Sequence, residues 1–216
     1  DKHTMVVSLL NGVDSEELIG QRIGMEHMIY SLIRIASHRI GNSIHFSLPK
    51  GYNGIYIGIP NQPACQDPRL AAIAEIFADT PVTLHLSDDI LLDMWDKFGL
   101  NVSRNLPQAI LGVGIGVYDD SIYADAIMRK MRHEVVLVAN AKGIPLTDEF
   151  KAAKWLPSQR YSTLQDLDAH RHTEIDMFSG ALIRMGKEVG VECPYNEMTY
   201  NLIKALEEKN DGKFDY

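Results

Sequence analysis

The spacing of apolar and polar positions changes character about a third of the way along the chain. Before residue 60 the apolar residues come in short runs. Residues 5–10 (MVVSLL) form a continuous run with β-branched members, the pattern of a strand buried on both faces. Asn11-Gly12 breaks it, and Asp14 or Ser15 can cap a helix running through Glu16, Glu17 and Leu18 to about Ile23. A second apolar run covers 27–35, and 43–48 and 54–59 read as two further short strands. Gly41-Asn42 is a hairpin signal, and the stretch 49–54 is another turn. A strand, a helix and three strands describe the closing part of an α/β domain, with no glycine-rich strand–turn–helix entry ahead of them.

Pro60-Asn61-Gln62-Pro63 is the linker candidate, which divides the chain into 1–62 and 63–216. Beyond it the period is helical, with helices expected at about 68–78, 88–106, 121–142, 147–156, 173–189 and 195–209 and one short strand at 81–86. Gly143, Pro157 and Gly190 stand where helices should stop. On the helix near 88–106, Leu91, Trp95, Phe98, Val102 and Leu106 share an apolar face. Lys97, Asn101 and Asn105 recur every four residues along its flank. A cation and two amides in a row can line a cleft, or can be ordinary residues at the edge of a buried face; spacing alone leaves both readings open.

Composition narrows the classes. The 216 residues are 45% hydrophobic and 23% charged, ordinary material for one large domain or two small ones. A formal net charge of −8 and the lack of a Lys/Arg run argue against nucleic acid as a partner. An anionic substrate must then be met by a few local cations. Two cysteines, Cys65 and Cys193, do not make a disulfide scaffold. No apolar run approaches the ~20 residues of a membrane span, and the polar start is no signal peptide, so a cytoplasmic location is expected. The chain opens on Asp1 and enters its first strand at Met5, which reads as an internal starting point.

A second constellation runs from Ser162-Thr163-Leu164-Gln165-Asp166 to Arg171-His172-Thr173-Glu174-Ile175-Asp176. Thr173 with Asp176 resembles a capping box and puts Glu174 in the first helical turn, where it can serve a site or simply complement the helix dipole. His170 and His172 lack a third ligand at suitable spacing, so no metal is expected. Gly112-Val113-Gly114-Ile115-Gly116 follows a helix and not a strand, so it reads as a helix junction and not as a dinucleotide loop.

Taken together, four stretches resemble the ketopantoate reductase family, and they follow its order across nearly the whole chain. They are VVSLLNGVDSEEL (6–18), SDDILLDMWDKFGLNVSRN (87–105), SIYADAIMRKMRHEVVLVANAKGIPL (121–146) and STLQDLDAHRHTEIDMFSGALIRMGKEVGVECPYNEMTYNLIKALE (162–207). The resemblance implies an α/β remnant at 1–62, the end of a Rossmann-type NADP-binding domain, followed at 63–216 by a mainly α-helical substrate and catalytic domain. That second domain would be like the C-terminal domain of 6-phosphogluconate dehydrogenase. It implies reduction of a 2-oxo acid, 2-dehydropantoate to pantoate, with NADPH. Lys97 matches the family's catalytic lysine and Glu174 its catalytic-site glutamate. Asn101 and Asn105 match substrate-binding asparagines, Ser162 a substrate-holding serine, and Asn11 an asparagine facing substrate and nicotinamide. Asn11 and Glu174 are the residues expected to approach the cofactor.

These residue types suit the chemistry, because an ammonium can neutralise the oxygen of a carbonyl under reduction while amides and a hydroxyl hold substrate without competing charge. The pattern departs from the family where an asparagine would fall near Ile115, and Arg104 beside Asn105 is unusual. Both leave room for another branched or aromatic 2-oxo acid. The family's glycine loop has no counterpart in this sequence, so NADP(H) is expected to belong to the full-length protein, and this chain alone to bind it weakly and not turn over. A non-catalytic helical dimerisation or binding module is the alternative from another class. The residual strands lack partners, which leaves an open sheet edge that could pair two chains as a homodimer.

Overall fold

The structure is a computed structural model, and it describes residues 3–35, 37–40, 42–46, 53–150, 156–214 and 216. The chain forms two compact units, Asp1–Met94 and Trp95–Tyr216.

The first unit holds β1 (Val6–Val7), α1 (Ser15–Ile23), β2 (Met28–Arg34), β3 (Ser37–Ile40), β4 (Ser43–Phe46), β5 (Gly54–Gly58), α2 (Pro68–Phe77) and β6 (Leu84–Leu86). Four strands make one mixed sheet in the order β1-β2-β5-β6. β1 and β2 are parallel with Val6 opposite Met28, and the right-sized crossover between them is α1. β2 and β5 are antiparallel from Tyr30↔Gly58 to Arg34↔Gly54, and β5 and β6 are again parallel. β3 and β4 form a separate hairpin closed by Ile40↔Ser43, which agrees with the turn signal at Gly41-Asn42. Ile29, Ile55, Ile57, Leu70 and Ile73 are buried together, with Val7, Phe77 and Leu84 packed against them. This is α2 lying on one face of the sheet.

The division differs from the linker expected at 60–63. Ile59 bridges to Gln62, α2 contributes to the sheet's core, and the strand expected at 81–86 hydrogen-bonds to β5. The sheet-bearing unit therefore extends past residue 62. The expected strand 5–10 is only two residues long, and an unexpected β3 pairs with β4. The ends expected at 47–48, the turn residues 49–52 and Gly41 lie outside the described residues.

The boundary between the units falls inside α3 (Ile90–Leu100). A π-helical turn, Asn101–Asn105, and α4 (Leu106–Leu111) continue α3. After α5 (Val117–Asp120) come α6 (Ile122–Ala141), α7 (Ser162–Asp168), α8 (Ser179–Val189) and α9 (Pro194–Asn210). Helix α6 starts as its sequence predicts, the Ser121 hydroxyl accepting from the Ala124 N–H at 3.3 Å. Met128, Met131, Val135, Val138 and Ala139 supply its buried stripe, against which α8 and α9 pack.

Two expected helices are corrected. Residues 147–150 are not helical, and 151–155 lie outside the described residues. The carbonyls of Thr147 and Glu149 accept from Arg132, at 2.9 and 3.4 Å, which diverts them from a helical ladder. The helix expected from 173 begins at Ser179, because Phe178 (φ −99°, ψ −99°) breaks the backbone while burying its ring completely. α7 was not expected; it is short, with Thr163, Leu164 and Leu167 as its buried positions.

Candidate functional site

The second unit carries Lys97, Asn101, Asn105, Ser162 and Glu174, and the continuous helical segment from α3 to α4 carries the first three. Trp95, Phe98, Val102 and Leu106 fall on its buried side, with Trp95 and Phe98 in an edge-on ring contact at 5.6 Å. Lys97 and Asn101 are half-buried on its flank, and Asn105 is buried. In an unbroken α-helix, residues four apart drift by about 40°, so Asn105 would stand about 80° round from Lys97. The π-turn alters that. With about 4.4 residues per turn, four residues inside it rotate by about 30° in the opposite sense. An ideal turn of that kind offsets most of the drift from Lys97 to Asn101, so the helix geometry allows all three to share one flank.

Asn105 joins this helix to the segment before α7. Its Nδ2 donates to Ser162 Oγ at 3.2 Å, and its Oδ1 accepts from the Thr163 N–H at 3.2 Å. Gln108, fully buried one turn on, repeats the arrangement. Its Nε2 donates to the Gln159 carbonyl at 2.8 Å, and its Oε1 accepts from the Tyr161 N–H at 2.8 Å. These four bonds deliver Ser162, exposed at the start of α7, to the Asn105 end of the stripe. Each amide keeps one donor hydrogen and one lone pair for other partners.

The 112–116 segment locks the same loop from the other side. The Ile115 N–H donates to the Gln159 carbonyl and the Gly116 N–H to the Pro157 carbonyl, both at 2.9 Å. A Cβ on Gly114 would lie 2.2 Å from the Pro157 carbonyl oxygen, so only glycine permits this approach. The glycines serve a helix junction, as the sequence indicated. Ile115, where the family resemblance places a substrate asparagine, is buried with Tyr118, Ala124 and Met128.

Glu174 is half-buried in the turn that precedes α8, and its carbonyl accepts from Met177 and Phe178. The capping box is only half formed: Thr173 Oγ1 accepts from the Ile175 N–H at 3.2 Å, whereas Asp176 accepts from Tyr200 Oη at 2.7 Å. Thr173 is fixed by Glu207, whose Oε1 accepts from its N–H and hydroxyl at 2.6 and 2.7 Å. Burial pulls the Glu207 carboxyl upward, but the Thr173 bonds and the Lys204 ammonium at 2.9 Å outweigh it and hold it below the usual carboxylate range. Asn11 belongs to the first unit, half-buried in the loop from β1 to α1, where Gly12 takes a φ of 96°.

Sequence reasoning did not single out Gln108 or Arg132. Gln108 lies three residues after Asn105, and Arg132 occupies an apolar position of the α6 stripe between Met128 and Val135. A charged residue at such a position was the available signal. Among the described residues no group of three or more His, Cys, Asp or Glu side chains is placed to hold a metal ion. No described helix is long and apolar enough to cross a membrane.

Residues 89–207 match the family model described as the ketopantoate reductase PanE/ApbA C terminal. The 2-dehydropantoate 2-reductase of Caulobacter vibrioides is 29% identical over 210 residues, covering 94% of this chain and 68% of that protein. A PanE/ApbA family ketopantoate reductase from Ralstonia eutropha JMP134 superposes with a TM-score of 0.80 at 25% identity, over 98% of this chain and 69% of that one. D-mandelate dehydrogenase, solved with NADH and anilino(oxo)acetate, shares the fold with a TM-score of 0.83 at 24% identity, over 98% of this chain and 70% of that one. With a small four-stranded sheet, a mostly helical remainder and a matched segment spanning over half its length, the chain belongs to the ketopantoate reductase family of oxidoreductases.

Proposed function

We propose that this chain provides the substrate-binding and catalytic portion of an NADPH-dependent reductase that converts 2-dehydropantoate to pantoate. The observation that carries the proposal is the bond from Asn105 to Ser162 at 3.2 Å, with Asn105 on the same continuous helical segment as Lys97 and Asn101. One cation flanked by neutral amides and a hydroxyl suits a small 2-oxo acid in a protein of net charge −8. As the substrate carbonyl carbon accepts hydride, its oxygen becomes an alkoxide. The Lys97 ammonium hydrogen-bonds that oxygen and donates the proton. Asn101, the free donor of Asn105 and Ser162 hold the carboxylate and hydroxyl groups, and Glu174 orients Lys97 and accepts from the substrate hydroxyl. By the resemblance, Asn11 and Glu174 are the residues assigned to approach the cofactor. In evolutionary terms 1–62 is the end of a Rossmann-type domain and 63–216 a substrate portion like the C-terminal domain of 6-phosphogluconate dehydrogenase.

NADPH supplies the hydride in the full-length protein. The described residues do not themselves fit its pyrophosphate, which needs a glycine loop opening a helix behind a strand. In the 112–116 run, the space next to Gly114 and Gly116 is filled by Pro157 and Ser158. The chain alone is therefore expected to bind NADPH weakly and not to turn over. Submicromolar NADPH binding by the 216-residue chain overturns that expectation.

Ile115 favours a second reading of the substrate. Buried at 3% exposure, it offers no hydrogen bond where the resemblance places an asparagine, which suits a branched or aromatic 2-oxo acid. A panel of 2-oxo acids, assayed through NADPH absorbance on the full-length gene product, separates the two readings. Highest kcat/KM for 2-dehydropantoate supports the first. Preference for another acid keeps the chemistry and replaces the substrate, and silence across the panel favours a non-catalytic module.

A further inference from the structure

Among the described residues, the most heavily buried charge in the second unit lies behind the proposed catalytic helix. Arg132 on α6 is 1% exposed. Its Nη1 donates to the Asp96 main-chain carbonyl at 3.3 Å, and its Nη2 donates to the Asp96 carboxylate at 3.2 Å. Nη2 also reaches the carbonyls of Thr147 and Glu149. Burial presses the guanidinium pKa down and the Asp96 charge presses it up. The helix has been cut to receive this group: a Cβ on Gly99 would lie 2.0 Å from Arg132 Nη1. Phe150 then covers it, with Arg132 Cζ 5.0 Å and Arg104 Cζ 4.4 Å from its ring centroid.

These contacts fall on the last α-helical turn before the π-turn. Asp96 precedes Lys97, and Gly99 separates Lys97 from Asn101. Inside and around the π-turn other carbonyls are also taken by side chains. Ser103 Oγ donates to the Gly99 carbonyl at 2.7 Å, and Tyr118 Oη donates to the Arg104 carbonyl. An i→i+5 turn is a costly local choice that persists where surrounding groups over-determine it. A buried ion pair is weak evidence of added stability, since the desolvation of both charges offsets their attraction. Specificity of geometry is the better account of it here.

We infer that Arg132 is a positioning residue for Lys97. By gripping both the carboxylate and the carbonyl of Asp96 inside the Gly99 notch, it sets the rotation of the helical turn that carries Lys97 and Asn101. It also ties that turn to the loop at 147–150. Lysine cannot replace it, because a single ammonium does not present the planar fork that meets four acceptors at once. The inference rests on the reading that Lys97 acts on substrate, but its structural half does not.

Two measurements on Arg132→Lys and Gly99→Ala separate these. In the 216-residue chain, amide hydrogen exchange over 97–106 is expected to accelerate at least tenfold in both variants while α8 and α9 exchange as before. A uniform acceleration across the whole second unit, or none, overturns the positioning role. In the full-length gene product, kcat is expected to fall 10- to 100-fold with KM changed less than threefold, since a displacement of ~1 Å at the reacting groups costs about that much. Unchanged kcat together with local opening also overturns the link to Lys97. Loss of kcat in Arg132→Lys but not in Lys97→Ala refutes the reading of the site and leaves the clamp standing.

Discussion

Asn105→Ala isolates the contact on which the candidate site depends. Asn105 is 2% exposed and bonds both Ser162 and the Thr163 main chain. Removing its side chain leaves the Thr163 N–H without an acceptor at a residue that is fully buried. An orphaned buried donor costs about 1–3 kcal/mol, and the small cavity adds up to about 1 kcal/mol. The variant should therefore lose about 2–3 kcal/mol, whereas Ser162→Ala, which removes an exposed hydroxyl, should lose less than about 1 kcal/mol. The double variant should cost less than the sum of the two singles, with a coupling of about 0.5–1 kcal/mol. Urea titration followed by helical circular dichroism reads all three, and the Thr163 amide should lose its exchange protection first. A loss below about 0.5 kcal/mol in Asn105→Ala would mean that Ser162 is held by something else and that the bond is incidental.

Other outcomes follow from the same structure. Burial raises the Glu16 carboxyl pKa, despite bonds from Ser15 and Ser31. Its favourable contribution is therefore complete below the unfolded pKa and lost as pH rises through the folded one; Glu16→Gln should stabilise the first unit at pH 7 and little at pH 4. Equal stabilisation at both pH values refutes this. Gly114→Ala, meeting the Pro157 carbonyl, should cost about 1–3 kcal/mol and weaken protection at Ile115 and Gly116. Cys65 is exposed, whereas burial, with Glu134 and Glu197 nearby, pushes the Cys193 thiol up to about 12. A thiol reagent at pH 8 should label Cys65 in the native chain and Cys193 only on unfolding.

What could be read from the residues alone depended on whether local pattern or tertiary contact decided the matter. Helices α2, α6 and α9 obey a 3.6-residue period with Pro68, Ser121 and Pro194 at or just before their first turns, so their ends are legible to within a residue or two. Pro60 to Pro63 looks like a linker, whereas the pairing of β6 with β5 beyond it is a non-local event that no local signal announces. The π-turn was illegible for the same reason: Val102 and Leu106 keep the helical period, and the acceptors are claimed by Arg132, Ser103 and Tyr118 from outside the turn or across it. The candidate site residues come from the family resemblance and not from local pattern. Spacing put Lys97, Asn101 and Asn105 on a drifting stripe; the structure adds a π-turn at 101–105 and the bond that ties Asn105 to Ser162.

The most direct test of the account is 2-dehydropantoate reduction by the full-length gene product, followed through NADPH absorbance, with Lys97→Ala measured beside it. If Lys97 protonates the nascent alkoxide, kcat falls by two or more decades while the fold, by circular dichroism, is unchanged. A Lys97→Ala variant that reduces the substrate at an undiminished rate contradicts the assignment and, with it, the proposed catalytic stripe.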